Sequence, residues 1–189
     1  MARETKLDRR DLPRYTPQEA AHHLALPVST VRAWSVGQRG RQRDKVRFFQ
    51  PLISPAQKTP LSLSFWNLVE LYVLRSLRRT HDFPMPSDGQ TVMRSVLVDS
   101  LRRVERGTDG RVVRFYPWLN ESTEVRAVEI DPDRAFGRLV LVGTGIPTQA
   151  IAERFAEGDD IDVLARDFEL DVAKIQQALR WEQRKARAA

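Results

Sequence analysis

Apolar residues recur at helical spacing in several separate stretches, with short alternating or continuous apolar blocks between them, a pattern that predicts a mainly α fold with short β-strands. The first start signal is Thr16-Pro17-Gln18-Glu19, where Thr16 can cap, Pro17 suits the first helical position and Glu19 can reach back to the cap amide. That helix runs through Leu24 and must stop before Pro27, because proline disfavours helical geometry in the residue ahead of it. Ser29 can cap a second short helix, Thr30 to Val36, with Gly37 as its left-handed stop. Two short helices across a tight turn predict a helix-turn-helix, with Ala20, Leu24, Val28, Val31 and Trp34 as its small core.

Ser62 to Thr80 carries Phe65, Leu68, Val69, Tyr72, Leu74 and Leu77 on a wide apolar face without Gly or Pro, which predicts a buried helix. The Pro- and Gly-containing stretch His81–Gly89 reads as a connector. A further helix is predicted over 90–106, lined by Val92, Val96, Leu97, Leu101 and Val104 and stopped by Gly107. A strand follows over Arg111–Tyr116, then a loop from Pro117 to Glu124. From Val125 two short apolar strands precede three helices: one opened by Pro147 and closed at Gly158, one capped by Asp160, and one capped by Asp171 that carries Ile175, Ala178, Leu179 and Trp181. The expected organisation is a DNA-binding winged helix-turn-helix with a helical extension over 1–116. A three-helix, helix-turn-helix-like domain with short strands then occupies 117–189.

Charge sharpens this picture. The net charge of +6 is unevenly spread: residues 1–50 hold 11 basic against 5 acidic side chains, whereas residues 131–171 hold 4 basic against 10 acidic. Phosphates would be drawn to the N-terminal end, and the acidic block suits a protein partner better. The chain has no cysteine, which excludes disulfides, thiol catalysis and zinc-finger or iron–sulfur chemistry. Its N-terminus shows no apolar signal region, and no stretch approaches the roughly 18 apolar residues of a membrane span. A cytoplasmic protein with no membrane partner is therefore expected.

The candidate chemistry is recognition. On the second helix Ser29, Thr30, Arg32, Ala33 and Ser35 are left over from the core and are expected to face a DNA groove, with Arg32 the best candidate for a base edge. Arg39, Arg41, Arg43, Lys45 and Arg47 then form a basic loop running into an apolar strand, as a wing laid along a DNA backbone requires; between Val28 and Phe49 six basic residues face one acidic one. The competing interpretation makes the helical pair part of a plain helical core and the arginines a solvated loop. Arg75, Arg78 and Arg79 fall in the last turn of their helix, where they suit its negative end. Gly143-Thr144-Gly145 lacks the lysine and spacing of a phosphate-binding loop and reads as a turn. Asp159, Asp160 and Asp162 read as helix starts rather than metal ligands, and adjacent His22 and His23 cannot easily share a ligand. No catalytic constellation, cofactor loop or metal site is visible, so an enzyme is not expected.

Tyr15-Thr16-Pro17-Gln18-Glu19-Ala20-Ala21 and Ser29-Thr30-Val31-Arg32-Ala33-Trp34 resemble the start of MerR-like winged helices over about 35 residues. Ile130-Asp131-Pro132, Phe136-Gly137-Arg138 and Gly143-Thr144-Gly145-Ile146-Pro147-Thr148, with Ile151-Ala152-Glu153-Arg154-Phe155 and a final capped helix to Trp181, resemble a small domain long catalogued as of unknown function and assigned to antitoxins of VapBC-type toxin–antitoxin pairs. Phe48–Ile53 and Leu63–Leu74 resemble the DNA-binding domain that precedes it in longer VapB antitoxins. Many relatives carry arginine where Gly145 stands. The resemblance implies an antitoxin that neutralises a PIN-domain ribonuclease toxin and, with it, represses its own operon. A near-palindromic operator would be read by a homodimer. PIN nucleases keep carboxylates around a divalent metal, which an inserted arginine would neutralise; Arg180, Arg184, Lys185 and Arg187 are the candidates, although the same tail also reads as a solvated, frayed helix end. The alternative function is a stand-alone transcriptional regulator that senses a ligand through the middle region.

Overall fold

A computed structural model describes residues 8–42, 45–81, 101–117 and 126–188. The chain divides into two compact units at residues 97 and 98. In the first, α1 spans Pro17–Leu24 and starts as expected: the Glu19 amide donates to the Thr16 hydroxyl at 3.2 Å, and the Thr16 amide donates to the Glu19 carboxylate at 2.8 Å. Two orphan helix donors are thereby satisfied reciprocally. Ala25 ends the helix in the left-handed region at φ 46°.

Helix α2 spans Val28–Val36, one or two residues earlier than its sequence signals suggest. The cap is Pro27, whose carbonyl accepts from Thr30 and Val31 at 3.0 and 3.2 Å, so Ser29 lies inside the first turn and is not a cap. The proline ring already holds the extended backbone that an N-cap needs, and the chain enters the helix directly behind it. Ala20, Leu24 and Val31 are buried as expected, while Val28 and Trp34 are half-buried. Gly37 ends α2 with positive φ but an extended ψ of 175°, so the chain runs straight into a strand rather than closing a left-handed turn.

That strand, β1 (Gln38–Gln42), pairs antiparallel with β2 (Lys45–Phe49). Both arms of the expected basic loop are therefore strands. A small hairpin of β3 (Gln57–Lys58) and β4 (Leu61–Ser62) leads to α3, Phe65–His81, and Leu63 bridges back to Tyr15 through backbone bonds of 2.8 and 2.9 Å. On α3 the buried face is Phe65, Leu68, Leu71 and Tyr72, whereas Val69, Leu74 and Leu77 are only half-buried. At its start Asn67 is buried: its side-chain oxygen accepts from the Ser64 and Ala56 amides, and its amide group donates to the Ser54 carbonyl and to Glu70. One side chain thus caps the helix and ties down the loop behind it.

The second unit is built on an antiparallel sheet of order β5-β6-β7-β8, comprising Val104–Arg106, Val112–Phe115, Val128–Ile130 and Leu139–Leu141. The helix expected to run through residue 106 is corrected here. Val104–Arg106 is a strand, and Gly107 opens the hairpin, with Gly107 donating to the Arg111 carbonyl at 2.9 Å and Gly110 to the Gly107 carbonyl at 3.0 Å. An Asp-Gly turn between two apolar alternating segments outweighs the helical period that ends in Val104. The expected helical positions Val92, Val96 and Leu97 lie outside the described residues. Because β6 pairs with β7, a division of the chain after residue 116 falls inside this sheet.

Three helices complete the unit: α4 (Thr148–Ala156), α5 (Ile161–Asp167) and α6 (Val172–Ala188). Their shared core is Ile151, Leu164, Ile175, Ala178, Leu179 and Trp181. Asp160 occupies the N-cap of α5, but its carboxylate makes no capping bond. The Thr148 hydroxyl donates to Glu182 at 2.7 Å, joining the start of α4 to α6, and Arg154 bonds to both Asp159 and Asp167, at 2.6 and 2.7 Å. The fold is mainly helical, with an N-terminal winged helix-turn-helix and a C-terminal three-helix unit on short antiparallel strands.

Candidate nucleic-acid interface

Helix α2 presents Ser29, Arg32 and Val36 to solvent, at positions i, i+3 and i+7 of one stripe, while Thr30 and Ala33 are half-buried beside it. Ser35 is corrected: it is buried, and its hydroxyl donates to the Val31 carbonyl at 2.7 Å. Back-bonding one turn along the helix satisfies the hydroxyl and leaves nothing to offer a base.

The β1–β2 ribbon is held beside this helix at both ends. Gly37 joins it to α2, and beyond β2 the amides of Leu52 and Ile53 both donate to the Trp34 carbonyl, at 2.7 and 3.1 Å. Glycine at 37 has a packing reason as well as a conformational one, since a Cβ there would sit 2.5 Å from the Phe48 ring and from the Phe49 carbonyl. A Cβ on Gly40 would likewise meet the Phe49 ring at 2.8 Å. The two phenylalanines therefore cover the two glycines, stiffening a ribbon that would otherwise be loosely specified.

Arg39 pairs in register with Phe48, and Arg47 with Gly40, so the two arginines lie on opposite faces of the ribbon, and both are exposed. Arg41 and Lys45 take register positions opposite Val46 and Gln42; Arg43 lies outside the described residues. Arg32 and Arg39 have no ion pair or side-chain hydrogen bond among the described residues. A short exposed helix face and an adjacent basic β-ribbon, fixed to one another through Trp34 and Gly37, can contact base edges and phosphates together. Sequence reasoning missed the exposure of Phe48, Phe49 and Leu52, because an apolar run after a wing reads as a strand packed on a core, and that of Val36 at the end of α2.

Arginines of the second unit are placed differently. Arg114 donates to Asp131 at 3.1 Å and to Glu105 at 2.9 Å, and the Tyr116 hydroxyl donates to the other Glu105 oxygen. The Tyr116 bond, with the Arg114 charge behind it, holds the Glu105 carboxyl below the usual range, and Asp131 keeps the Arg114 guanidinium charged. Burial, reinforced by Glu105, pushes the Tyr116 phenol up. Arg126 lies over the Tyr116 ring at 4.2 Å. Of the expected tail cations, Arg180 is exposed on α6; Arg184, Lys185 and Arg187 continue that helix, with their side chains outside the described set. Among the described residues no group of three or more acidic or histidine side chains could hold a metal ion, and no helix is long and apolar enough to cross a membrane.

Residues 13–87 match the family described as "Putative DNA-binding HTH domain", and residues 128–181 match "Protein of unknown function (DUF433)". The fold is similar to the crystal structure of Rv2018 from Mycobacterium tuberculosis, with a TM-score of 0.59 and 18% sequence identity over 89% of this chain and 97% of that one. No match to this chain is found among curated proteins. The N-terminal unit thus carries a helix-turn-helix that matches a family described as DNA-binding, and the fold of the chain recurs in a protein of known structure.

Proposed function

We propose that this chain is the antitoxin of a toxin–antitoxin pair of the VapBC type, which binds operator DNA through its N-terminal unit and a PIN-domain ribonuclease through its C-terminal unit, so repressing its own operon as a homodimer. The observation that carries the DNA half is the exposed Ser29–Arg32 face of α2 fixed beside the β1–β2 ribbon. Thr30, Ala33, Arg39, Arg41, Arg43, Lys45 and Arg47 complete the proposed interface. The partner half is supported by the sequence resemblance of residues 130–181 and by charge: with 4 basic against 10 acidic residues over 131–171, that region repels phosphate and suits a protein. Arg180, Arg184, Lys185 and Arg187 extend from it as cations that could enter a carboxylate-lined nuclease site.

The test is co-expression with the neighbouring open reading frame, followed by pull-down and an RNA-cleavage assay with and without this protein. The expected result is a stable complex in which cleavage is suppressed, and which binds the promoter. Promoter binding with no complex would overturn the antitoxin reading in favour of a stand-alone regulator, and the C-terminal resemblance would then describe fold alone.

A further inference from the structure

The connection between β7 and β8 is eight residues long and firmly held. Buried Asp131 leads out of β7; one of its oxygens accepts from the Asp133 amide at 2.8 Å and the other from the Arg114 side chain of β6 at 3.1 Å. Arg134 reaches back toward Glu129 and Asp131, at 3.7 and 3.8 Å. Turn bonds from Gly137 to the Arg134 carbonyl and from Arg138 to the Ala135 carbonyl, at 2.8 and 3.1 Å, close the tip. On this scaffold Ala135, Phe136 and Gly137 all have positive φ, at 44°, 56° and 72°. Only the glycine adopts that region freely.

Phe136 at the crown of the tip is 86% exposed, the most exposed large apolar residue described, and so gains almost nothing by burial in this chain. An aromatic held in a disfavoured backbone conformation, pinned by buried polar groups and aimed at solvent, has no reason in the stability of its own unit. It has the form of an interface anchor: large, rigid and presented before binding, so that little freedom is lost on contact.

We infer that Phe136 is the docking knob for a protein partner, the nuclease of the preceding reading on which this inference rests, and that it enters an apolar pocket rimmed by carboxylates. The rim follows from the flanks, where Arg138 is exposed and Arg134, although it engages Glu129 and Asp131 at 3.7 and 3.8 Å, keeps 48% of its side chain in solvent. A second copy of this chain fits less well, because a two-fold contact centred on the knob would bring the same arginines face to face. Nucleic acid fits less well because its phosphates extend along a whole surface and residues 131–171 carry 10 acidic against 4 basic side chains, whereas a carboxylate at the pocket rim meets only the arginines beside the knob. The knob, rather than the α6 tail, then supplies most of the affinity, and the tail cations serve the nuclease site itself.

The test uses the full chain carrying Phe136→Ala or Phe136→Gly, titrated with the protein encoded beside it. Both variants should bind that protein about 30-fold or more weakly, while melting is unchanged in Phe136→Ala and shifted upward in Phe136→Gly, which relieves the left-handed backbone. Operator affinity and self-association should not move. Unchanged partner affinity in both variants overturns the inference and leaves the antitoxin reading intact. Loss of self-association or of operator binding, with partner affinity kept, overturns it by assigning the knob to a second copy or to nucleic acid. Failure of the unaltered chain to bind the neighbouring protein overturns the reading and the inference together.

Discussion

The same side chain is used in opposite ways on the α2–ribbon segment of the first unit and in the second unit. In the N-terminal unit Arg32 and Arg39 are exposed on a helix face and a ribbon, without a carboxylate partner among the described residues. In the C-terminal unit Arg114, Arg134 and Arg154 each engage two acidic residues. The difference follows from local composition: six basic residues face one acidic residue between Val28 and Phe49, whereas carboxylates outnumber cations more than two to one over 131–171. A guanidinium among surplus carboxylates becomes part of the scaffold, while one among other cations stays available to an external polyanion. Arginine count alone would not have separated these roles.

The largest effect expected from this contrast belongs to the ribbon. Replacing Arg39, Arg41 and Arg43 together with alanine should remove about three phosphate contacts per subunit, or about six in the proposed homodimer, flattening the slope of log K against log salt by roughly 5 and lowering affinity by about four orders of magnitude near physiological salt, for every DNA sequence alike. Titrations of operator and random duplex from low to high salt measure both quantities. An unchanged slope would place the ribbon off the DNA. Arg32→Ala should cost about 1–3 kcal/mol on operator DNA and much less on random DNA, if its guanidinium reads a guanine edge. Equal losses on both would reduce it to a phosphate contact.

The scaffold arginines should respond in the other assay. Arg114→Ala leaves Asp131, only 7% exposed, with the more distant Arg134 in place of a hydrogen-bonded guanidinium, and should lower the stability of the C-terminal unit by about 1–2 kcal/mol while operator affinity holds. Urea melts followed alongside DNA titrations would show this; lost DNA binding without lost stability would erase the contrast between the units.

How much of this was legible in the sequence depended on how local each signal is. The α1 start was readable because a capping box is closed by four consecutive residues, and the C-terminal helices because Ile175, Ala178, Leu179 and Trp181 mark one face. Of the β5–β6 hairpin, the strand expected over Arg111–Tyr116 is present as β6, but β5 was misread because Leu101 and Val104 extend a helical period, although Asp109-Gly110 carried the competing turn signal. Ser35 was placed in the groove by counting, and only its bond to the Val31 carbonyl shows why it is not there. Asn67 sits three residues after Ser64, a capping signal in plain view, but its links to Ser54 and Ala56 need the tertiary structure. Phe136 was invisible as a knob: periodicity counts an aromatic as core, and nothing short of the backbone angles reveals a left-handed tip.

The smallest expected effect sharpens the comparison through pH. Glu105 accepts from Tyr116 and Arg114, and these bonds, the Tyr116 one foremost, hold its carboxyl below its ordinary value of 4.5. A carboxyl whose pKa is lower in the folded than in the unfolded state adds stability that is fully present above the unfolded value and is lost as pH falls through the folded one. The group is partly exposed and solvent screens it, so its contribution stays under about 1 kcal/mol. Glu105→Gln, which keeps the shape but not the charge, should therefore unfold at lower urea than the unaltered chain at neutral pH, with the gap closing as both are taken below pH 4.5. The N-terminal unit, whose proposed contacts are to DNA rather than to its own carboxylates, should show no matching response in Arg32→Ala. A gap for Glu105→Gln that stays constant down to pH 3 would mean that hydrogen bonding by the carboxyl group, charged or not, holds the Glu105–Arg114–Tyr116 cluster together, and the electrostatic contrast between the units would then rest on the pairs of Asp131, Glu129, Asp159 and Asp167.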